Sequence, residues 1–398
     1  MNNVEMRKIK HLYNFEVGFT PDTNNPKYYS KDDNGYKWVN VSDLNDYVLY
    51  DTSNKLTFDG VIGRKPAPKG SLMYSFKLSV GKVSFCNEDM FTNEAIASFV
   101  PNSRNSLRYL YYAAPEFIVL NAYENIYGAK ILNQDLIKNA KIPYYTFEKQ
   151  EQIADYLDHK VHLIDLAIKN SEKEIVKLQS YKESIIQNKI KSIEDNSLVP
   201  LKVLVICNDK SLSEKTSPSF EFDYIDIGSV EYGKGIISKE KMMFSESPSR
   251  ARRLVEKDDI IISTVRTYLK SIAFIDEINS SSVVSTGFAV LKCKDKTKLN
   301  PRYLYYVMQS SSFLNSVSIE SVGVSYPAIN SSNLLKLKVP YVSFSEQAEI
   351  VRYLDLKCEI IDKLIETKTK KIELLKEYKQ SFIHECITGR RVIPCQMN

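Results

Sequence analysis

The feature that most constrains the fold of this chain is an internal repeat. Residues 141–186 and 338–383 align without a gap, 197 positions apart, and are identical at 20 of 46 positions. The pentapeptide "RYLYY" also occurs twice, beginning at Arg108 and at Arg302. A chain of 398 residues is long enough for two or three domains. The repeat therefore predicts two half-length units, each a globular part followed by a similar helical part.

The repeated segments carry the heptad pattern of a coiled coil, interrupted at the same places in both copies. The predicted seam consists of Ala154, Leu157, Val161, Ile164, Ile168, Ile175, Leu178 and Ile185 in the first copy and Val351, Leu354, Cys358, Ile361, Ile365, Ile372, Leu375 and Phe382 in the second. Thr146 and Ser343 are predicted N-caps, and Gly389 is a predicted helix stop. Such helices either dimerise the protein or pair within one chain. We favour an intramolecular, antiparallel pair, because a globular domain separates the two helices.

The repeat and the apolar patterns together predict the fold class, which is α+β. Strands are expected where short apolar runs are bounded by turn residues, and they begin near Tyr36, Ser71, Glu94, Phe222, Asp259 and Val283. Short helices are expected in "SRNSLRYLYYAA" and in "LNPRYLYYVMQSSSFL". The architecture is two mixed α/β domains connected by two long antiparallel helices that form an intramolecular coiled coil, with internal pseudo-twofold duplication. The predicted segments are a first domain at 1–145, a long helix at 146–195, a second domain at 196–342, a second long helix at 343–390 and a tail at 391–398.

The sequence contains no recognisable catalytic or metal-binding motif. The glycine cluster "IGSVEYGKGI" lacks the spacing and context of a phosphate-binding loop. His159 and His162 lie three residues apart, but no third metal ligand is apparent, so a solvated surface is the better interpretation. The six cysteines are scattered without a C-x-x-C pair, which fits reduced thiols. No signal peptide or membrane-spanning run is apparent, which predicts a cytoplasmic protein.

Basic and aromatic loops are the strongest functional signal. The net charge of +5 is a weak indication of a polyanionic partner, but cations cluster beside predicted strands. Arg and Lys neutralise phosphates, while Arg–guanine and Asn–adenine pairs read base edges. For an arginine such as Arg252 or Arg266 the alternative is a salt bridge to Glu256, Asp258 or Asp259. The candidate DNA contacts are Lys77, Lys82, Asn102, Arg104, Asn105, Arg250, Arg252, Arg253, Arg266, Tyr268 and Lys270.

Over essentially its whole length the chain resembles the DNA-specificity subunit of type I restriction–modification systems. The resemblance rests on the duplicated plan and on "WVNVSDL", "KGSLMYSFKLSVGKV", "TNEAIASF" and "PSRARRLVEKDDIIISTVRTYL". It rests also on "KIPYYTFEKQEQIADYLDHK" and "KVPYVSFSEQAEIVRYLDLK", which open the two long helices. The resemblance implies two target-recognition domains that each read half of a split site in double-stranded DNA. It also implies helices that set the spacer and dock two modification (methyltransferase) subunits.

The resemblance further implies that this chain has no catalysis and no cofactor of its own. S-adenosylmethionine is expected on the partner subunit, which methylates adenine, and a restriction or motor subunit can join; no membrane partner is expected. Repeated polar residues either dock these partners or simply flank the helix seam: Gln150, Asp158, Lys160, Asp165, Gln347, Asp355, Lys357 and Asp362. Two alternatives remain open at this point. One is a stand-alone DNA-binding or coiled-coil scaffold protein without a methyltransferase partner, and the other is an enzyme whose active site the sequence does not reveal.

Overall fold

Two compact units make up the chain in the computed structural model, which describes residues 4–30, 32–77, 79–124, 128, 130–193, 197–276 and 281–394. One unit is formed by residues 1–170 with 371–398, and the other by residues 171–370. Each unit therefore contains one globular domain and a part of both long helices. Cys395, the predicted boundary at residues 195 and 196 and part of the predicted tail lie outside the described residues. Within the described residues, no helix combines the length and apolar composition that a bilayer crossing requires.

The first unit is built from short strands and helices. Its strands are β1 (Met6–Lys8), β2 (Phe15–Val17), β3 (Tyr36–Val39), β4 (Val48–Leu49), β5 (Asn54–Leu56), β6 (Leu72–Ser75), β7 (Val83–Cys86), β8 (Phe91–Thr92), β9 (Ile96–Phe99), β10 (Tyr123–Glu124), β11 (Lys130–Ile131) and β12 (Lys141–Pro143). Its helices are α1 (Phe58–Val61), α2 (Leu107–Phe117), α3 (Gln134–Asn139) and the beginning of α4 (Phe147–Lys191).

Two sheets organise the first unit. Five strands pair in the order β2–β9–β6–β7–β4, and three pair in the order β5–β3–β8. β6 and β9 are buried along their whole length, as expected for central strands covered on both faces. Trp38, on β3, packs in a small core with Leu56, and its indole Nε1 donates to Phe19 O at 3.0 Å. The core beside α2 continues onto α4, where Leu157 is fully buried.

The second unit uses the same kinds of element. Its strands are β13 (Leu198–Pro200), β14 (Val205–Cys207), β15 (Glu221–Ile225), β16 (Val230–Glu231), β17 (Gly235–Ile236), β18 (Glu240–Met243), β19 (Ala251–Val255), β20 (Ile260–Ser263), β21 (Ile272–Phe274), β22 (Ser282–Ser285), β23 (Phe288–Cys293) and β24 (Lys338–Pro340). Its helices, besides the rest of α4, are α5 (Leu201–Leu204), α6 (Pro301–Met308), α7 (Ser311–Ile319), α8 (Ser331–Leu334) and most of α9 (Phe344–Ile387).

The strand order of the second unit repeats that of the first. β14, β23, β20 and β21 pair in the order taken by β2, β9, β6 and β7. β15 pairs antiparallel with β18 and parallel with β22, just as β3 pairs with β5 and β8. β13 pairs with β24 as β1 pairs with β12. The predicted duplication therefore extends from the helices to the sheets, where the two halves share little sequence.

Two predicted elements of the second unit are divided in the structure. The run "VVSTGFAVLKC" forms β22 and β23, separated by a turn at Thr286 and Gly287. Gly287 leaves room for Ile227 and Val265, whose side chains approach within 2.8 Å and 3.2 Å of where a Cβ would lie. The predicted helix in "LNPRYLYYVMQSSSFL" forms α6 and α7, because the Ser310 hydroxyl accepts the N–H of Phe313 and starts a new helix.

The long helices follow the predicted caps and seam. α4 has 45 residues and α9 has 44. Thr146 Oγ1 accepts the N–H of Lys149, and Ser343 Oγ accepts that of Glu346. Gly389 follows α9 with φ of +71°, a left-handed conformation that glycine adopts without strain. Every predicted seam residue is buried or half-buried.

Inside each unit the two helix segments run antiparallel and are joined by a matching ion pair. In the second unit Lys182 Nζ lies 2.8 Å from both carboxylate oxygens of Asp362. In the first unit Lys379 Nζ lies 2.7 Å and 2.8 Å from those of Asp165. Lys182 and Lys379 are the same position of the repeat and interrupt the apolar seam. A charged residue in a seam fixes the register of paired helices, so the shared interruption acts as a register lock.

Charge reversal tests this register lock. Lys182→Asp places two carboxylates together, and we expect it to lower the free energy of unfolding of the second unit by about 1–2 kcal/mol. Adding Asp362→Lys should restore most of that loss, since the pair is reformed in the opposite sense. The control is Lys363→Glu, which breaks an exposed pair with Glu359 within one helix and should cost less than about 0.5 kcal/mol. Urea denaturation of the parent, Lys182→Asp, Asp362→Lys and the double variant gives the coupling energy, and strict additivity would contradict the lock.

Candidate nucleic-acid interface and helix surface

In the second unit, basic segments meet around the turn between β22 and β23. Arg250 O accepts the N–H of Thr286 at 2.8 Å, and Thr264 N–H donates to Gly287 O at 2.7 Å. These contacts bring the start of β19 and the β20–β21 hairpin to one edge of the domain. The hairpin carries Arg266, and the start of β19 carries Arg250, so cations from two separate segments share this edge.

The β20–β21 hairpin holds its cations in an unusual backbone conformation. Arg266 and Lys270 have φ of +51° and +52°, in the left-handed region, and enclose a short 3-10 turn. Both are exposed, as is Tyr268 between them. The guanidinium of Arg266 lies 5.4 Å from the ring centroid of Tyr326, and Lys270 Nζ lies 5.3 Å from that of Tyr232. The hairpin thus presents two aromatic-supported cations to solvent.

The acids proposed as salt-bridge partners for the predicted arginines are bound by other groups. Glu256 pairs with Lys210 and Lys292, whose hydrogen bonds lower the pKa of its carboxyl to about 2. Asp258 pairs with Lys296. The Asp259 carboxylate accepts the backbone N–H of Glu256 at 2.8 Å. Lysines or the backbone therefore engage these acids.

The three arginines around β19 differ in their exposure. Arg250 is exposed, and the guanidinium of Arg252 lies 5.0 Å from the ring centroid of Phe244. Arg253, the next residue of the strand, is half-buried; burial lowers its pKa, and its Nη1 atom has no hydrogen-bond partner in the described part of the chain. Because this nitrogen is buried, Arg253 is a weaker candidate for a phosphate contact than its two neighbours. Arg250 and Arg252 remain candidates.

The first unit also carries exposed cations at the hairpin between two central strands, and the sequence prediction identified only some of them. Lys77 is exposed in the β6–β7 hairpin, at the place that the Arg266 hairpin takes between β20 and β21. Lys82, in the same hairpin, donates from Nζ to Asn45 Oδ1 at 3.0 Å. The exposed cations just before β6 were missed, although "GRKPAPKG" places them together without an acid. They are Arg64, Lys65 and Lys69.

The predicted base readers of the "PNSRNS" loop mostly have a structural role. Asn102 Oδ1 accepts the N–H groups of Arg104 and Asn105, at 2.9 Å and 2.8 Å. Asn105 is buried, and its Nδ2 donates to Leu12 O at 2.9 Å. The prediction for Asn105 is therefore corrected, because its amide is consumed inside the domain. Arg104 is exposed and remains a candidate.

Gln150 and Gln347 join each domain to its long helix instead of facing a partner. Gln150 is 1% exposed and Gln347 is 0% exposed. Gln150 Oε1 accepts Ser106 N–H at 2.7 Å, and its Nε2 donates to Tyr145 O at 2.9 Å. Gln347 repeats this, accepting Asn300 N–H at 2.8 Å and donating to the backbone at the start of α9. Buried amides with all these bonds cannot contact a second chain, which corrects the docking prediction for both glutamines.

Asp158 and Asp355 complete a second joint in each unit. In the second unit Asp355 Oδ1 accepts from Arg302 Nε at 2.8 Å and from Tyr306 OH at 2.6 Å. Burial opposes the charge of Arg302, but the hydrogen bond and charge of Asp355 outweigh it and raise the pKa of the guanidinium. Burial and the same carboxylate raise the pKa of Tyr306. In the first unit Asp158 accepts from Arg108 and from Tyr112, so the repeated "RYLYY" motif supplies both partners of each aspartate.

Among the other predicted docking residues, some contact side chains of this chain and one is simply exposed. Asp165 and Asp362 are exposed, and their carboxylates form ion pairs with the lysines of the register lock. Lys160 Nζ lies 5.9 Å from the ring centroid of Tyr156. Lys357 is exposed and stays a candidate for contact with a partner.

Exposed apolar residues on the helices were missed by the sequence prediction. On α9 within the second unit they recur every three or four residues, which places them on one face of the helix. The exposed apolar residues of the helices include Tyr353, Leu356, Ile360 and Leu364 in the second unit and Leu163, Leu166, Leu374 and Tyr378 in the first. The sequence signal that could have revealed them is the presence of apolar residues outside the two seam positions of the heptad. An exposed stripe of this kind is typical of a protein-binding surface.

The duplicated fold, in which the strand order and the helix joints recur in each unit, defines a two-domain protein with paired helical connectors. The family model described as the type I restriction modification DNA specificity domain matches residues 1–180 and 205–377. These matches cover most of the chain and coincide with its two copies. The chain belongs to this family.

Curated relatives come from Methanocaldococcus jannaschii. The chain is 24% identical over 282 residues to the type I restriction enzyme MjaVIII specificity subunit, which covers 66% of this chain and 65% of the relative. It is 25% identical over 176 residues to the MjaIX specificity subunit, covering 42% of this chain and 40% of the relative. The matches thus span less than two thirds of the length of these two relatives.

Solved structures share the fold at low sequence identity. A chain from a structural study of complex assembly and conformational transition in the type I R-M system has a TM-score of 0.69 at 14% identity, covering 98% of this chain and 99% of that chain. The crystal structure of the HsdS subunit from Thermoanaerobacter tengcongensis has a TM-score of 0.52 at 14% identity, with 98% of each chain covered. The fold described above is therefore that of known specificity subunits.

Proposed function

We propose that this chain is the sequence-specific DNA-binding subunit of a type I restriction–modification enzyme and has no catalytic activity of its own. One recognition domain, at 1–145, reads one half of a bipartite DNA target, and the other, at 196–342, reads the second half. The helical segments at 146–195 and 343–390 set the spacer between the half-sites, and 391–398 is a tail.

The observation that carries this proposal is the placement of cations in the duplicated fold. Both domains carry a basic hairpin between equivalent central strands, with Lys77 in one and Arg266 and Lys270 in the other. A second basic segment precedes the hairpin in each case. Cations on hairpins at the edge of a rigid sheet can neutralise phosphates and reach bases. Because the loop sequences differ, the two domains are suited to reading different half-sites.

The helices are the proposed docking surface for two modification subunits. Tyr353, Leu356 and Ile360 form an exposed apolar stripe on α9, and Lys357 lies on the same helix. An equivalent helix position, Leu163, is exposed on α4 in the first unit. This position, shared with Ile360 of α9, suits identical partners on the two copies. Those partners would carry S-adenosylmethionine and methylate adenine in the cytoplasm, and a restriction or motor subunit would join the same complex.

Purification with and without the partner tests the proposal. We expect the chain alone to leave DNA unmodified, and co-expression with the adenine methyltransferase (modification) subunit of its source organism to yield a complex with two methyltransferase copies. Sequencing of methylated adenines should then reveal a bipartite motif. Methylation or cleavage by the chain alone would contradict the proposal, and stable DNA binding with no methyltransferase partner would favour the stand-alone alternative.

Arg266→Ala should weaken DNA binding by that complex. Removal of one specific contact by an arginine costs about 1–3 kcal/mol, or roughly five- to 150-fold in affinity. The matched control is Lys298→Ala, an exposed cation near the start of α9. Fluorescence anisotropy at fixed salt measures both. Equal affinity for Arg266→Ala and the unsubstituted complex would remove Arg266 from the interface.

A further inference from the structure

The loop after α7 exposes aliphatic side chains at the candidate DNA edge of the second unit. Val322 is 79% exposed and Val324 is fully exposed. Two exposed valines on one short loop form an apolar tip that burial in a complex would stabilise. The surrounding surface indicates what covers it.

The loop has a closed and defined shape. Val322 N–H donates to Ala328 O at 2.9 Å, and Ala328 N–H donates to Val322 O at the same distance. Gly323, with φ of +115°, lets the chain turn where a Cβ would lie 3.0 Å from Tyr326 O. Val324 therefore stands at the tip of a short hydrogen-bonded loop, which costs little entropy to order on binding.

The same loop is hydrogen-bonded to the basic β20–β21 hairpin. Thr267 N–H donates to Pro327 O at 3.2 Å, and Thr267 Oγ1 lies 2.9 Å from Ser321 Oγ. Ile329 N–H donates to Thr264 O at 2.9 Å. Together with the contact of Arg266 with the Tyr326 ring, these bonds make loop and hairpin one surface.

This surface has the chemistry of a base-reading contact. The hairpin cations suit the phosphate backbone, and a protruding valine suits the 5-methyl group of thymine, an apolar feature of the major groove. We propose that Val324 contacts a thymine methyl group in the half-site read by the second domain, while Arg266 and Lys270 hold the adjacent backbone. This inference rests on the proposed function and adds one specificity-determining residue to it.

Deoxyuridine substitution tests the inference, because it removes only the methyl group of thymine. The complex with the methyltransferase is used, on its target as defined by methylated-adenine sequencing, with each thymine of the second half-site replaced in turn. We expect one replacement to weaken binding about fourfold, the effect of losing one buried methyl. The Val324→Ser complex should bind the thymine duplex and the deoxyuridine duplex equally, with the affinity that the unsubstituted complex has for the deoxyuridine duplex. Val203→Ser, at an exposed valine on α5, should keep the full discrimination.

The possible outcomes separate the inference from the proposed function. Absence of sequence-specific binding by the unsubstituted complex would overturn the proposed function. Specific binding without sensitivity to any deoxyuridine, or a half-site without thymine, would overturn only the role of Val324. Discrimination retained by Val324→Ser would also overturn it. Loss of methyltransferase from the Val324→Ser complex would overturn it in favour of a protein-covered loop.

Discussion

Gln150→Leu is expected to lower the free energy of unfolding of the first unit by about 3 kcal/mol. Leucine fills a similar volume but leaves Ser106 N–H, the backbone oxygen of Tyr145 and the side-chain Oδ1 of Asn105 without these partners. Each unpaired buried group costs about 1–3 kcal/mol. Ser106 is the N-cap of α2, so the substitution weakens the contact between the domain and α4. Urea denaturation followed by circular dichroism measures the change.

Gln152→Leu is the matched control, because Gln152 is exposed on α4 two residues away. We expect it to change stability by less than about 0.5 kcal/mol. Gln347→Leu should reproduce the Gln150 effect in the second unit, since its amide makes the equivalent bonds. If Gln150→Leu is as mild as the control while the complex with the methyltransferase no longer assembles, the glutamine serves docking after all.

The helical part of the fold could be predicted in detail because its signals are local and periodic. The seam positions, the caps at Thr146 and Ser343 and the stop at Gly389 all follow from spacing along one helix. The division of "VVSTGFAVLKC" could not be predicted in the same way. Its turn depends on the approach of Ile227 and Val265 to Gly287, which are contacts between distant parts of the chain.

The candidate site was predictable as a set of segments but not residue by residue. Charge in "SPSRARRLVEK" and "STVRTYLKS" marked two loops that the structure brings to one edge of the second domain, because cations in polar loops are a compositional signal. Which arginine faces water depends on strand pairing, and β19 turns Arg253 inward. Likewise, Asn105 and Gln150 carry the residue types of base readers and docking contacts, and their burial becomes visible only when both segments are placed together.

The structure also changes which helix residues are candidates for partner contact. The repeated polar residues Asp158 and Asp355 bind "RYLYY" side chains, and Asp165 and Asp362 bind the register-lock lysines. Recurrence of these residues in both copies therefore reflects the internal construction of each unit. Leu356 and Ile360, in the exposed apolar stripe, are 57% and 49% exposed and are the better candidates for docking.

A matched insertion in both long helices should change the DNA target itself. One heptad added after Asn170 and another after Lys370 falls at the division between the two units, so the register lock on each side is preserved. Seven residues add about 10 Å to an α-helix and nearly two whole turns. If the helices space the two recognition domains, as we propose, the spacer between the half-sites should lengthen by about three base pairs at about 3.4 Å each.

Sequencing of methylated adenines in cells carrying the variant and its methyltransferase measures the spacer directly. Each half-site should keep its sequence, because the recognition loops are untouched. The control inserts the heptad into α4 alone, which displaces Lys379 from Asp165 or Lys182 from Asp362 and should cost stability without defining a new spacer. An active double-insertion variant that methylates the original motif would show that the helices do not measure the spacer. The distance between half-sites would then have to be set by the partner subunits.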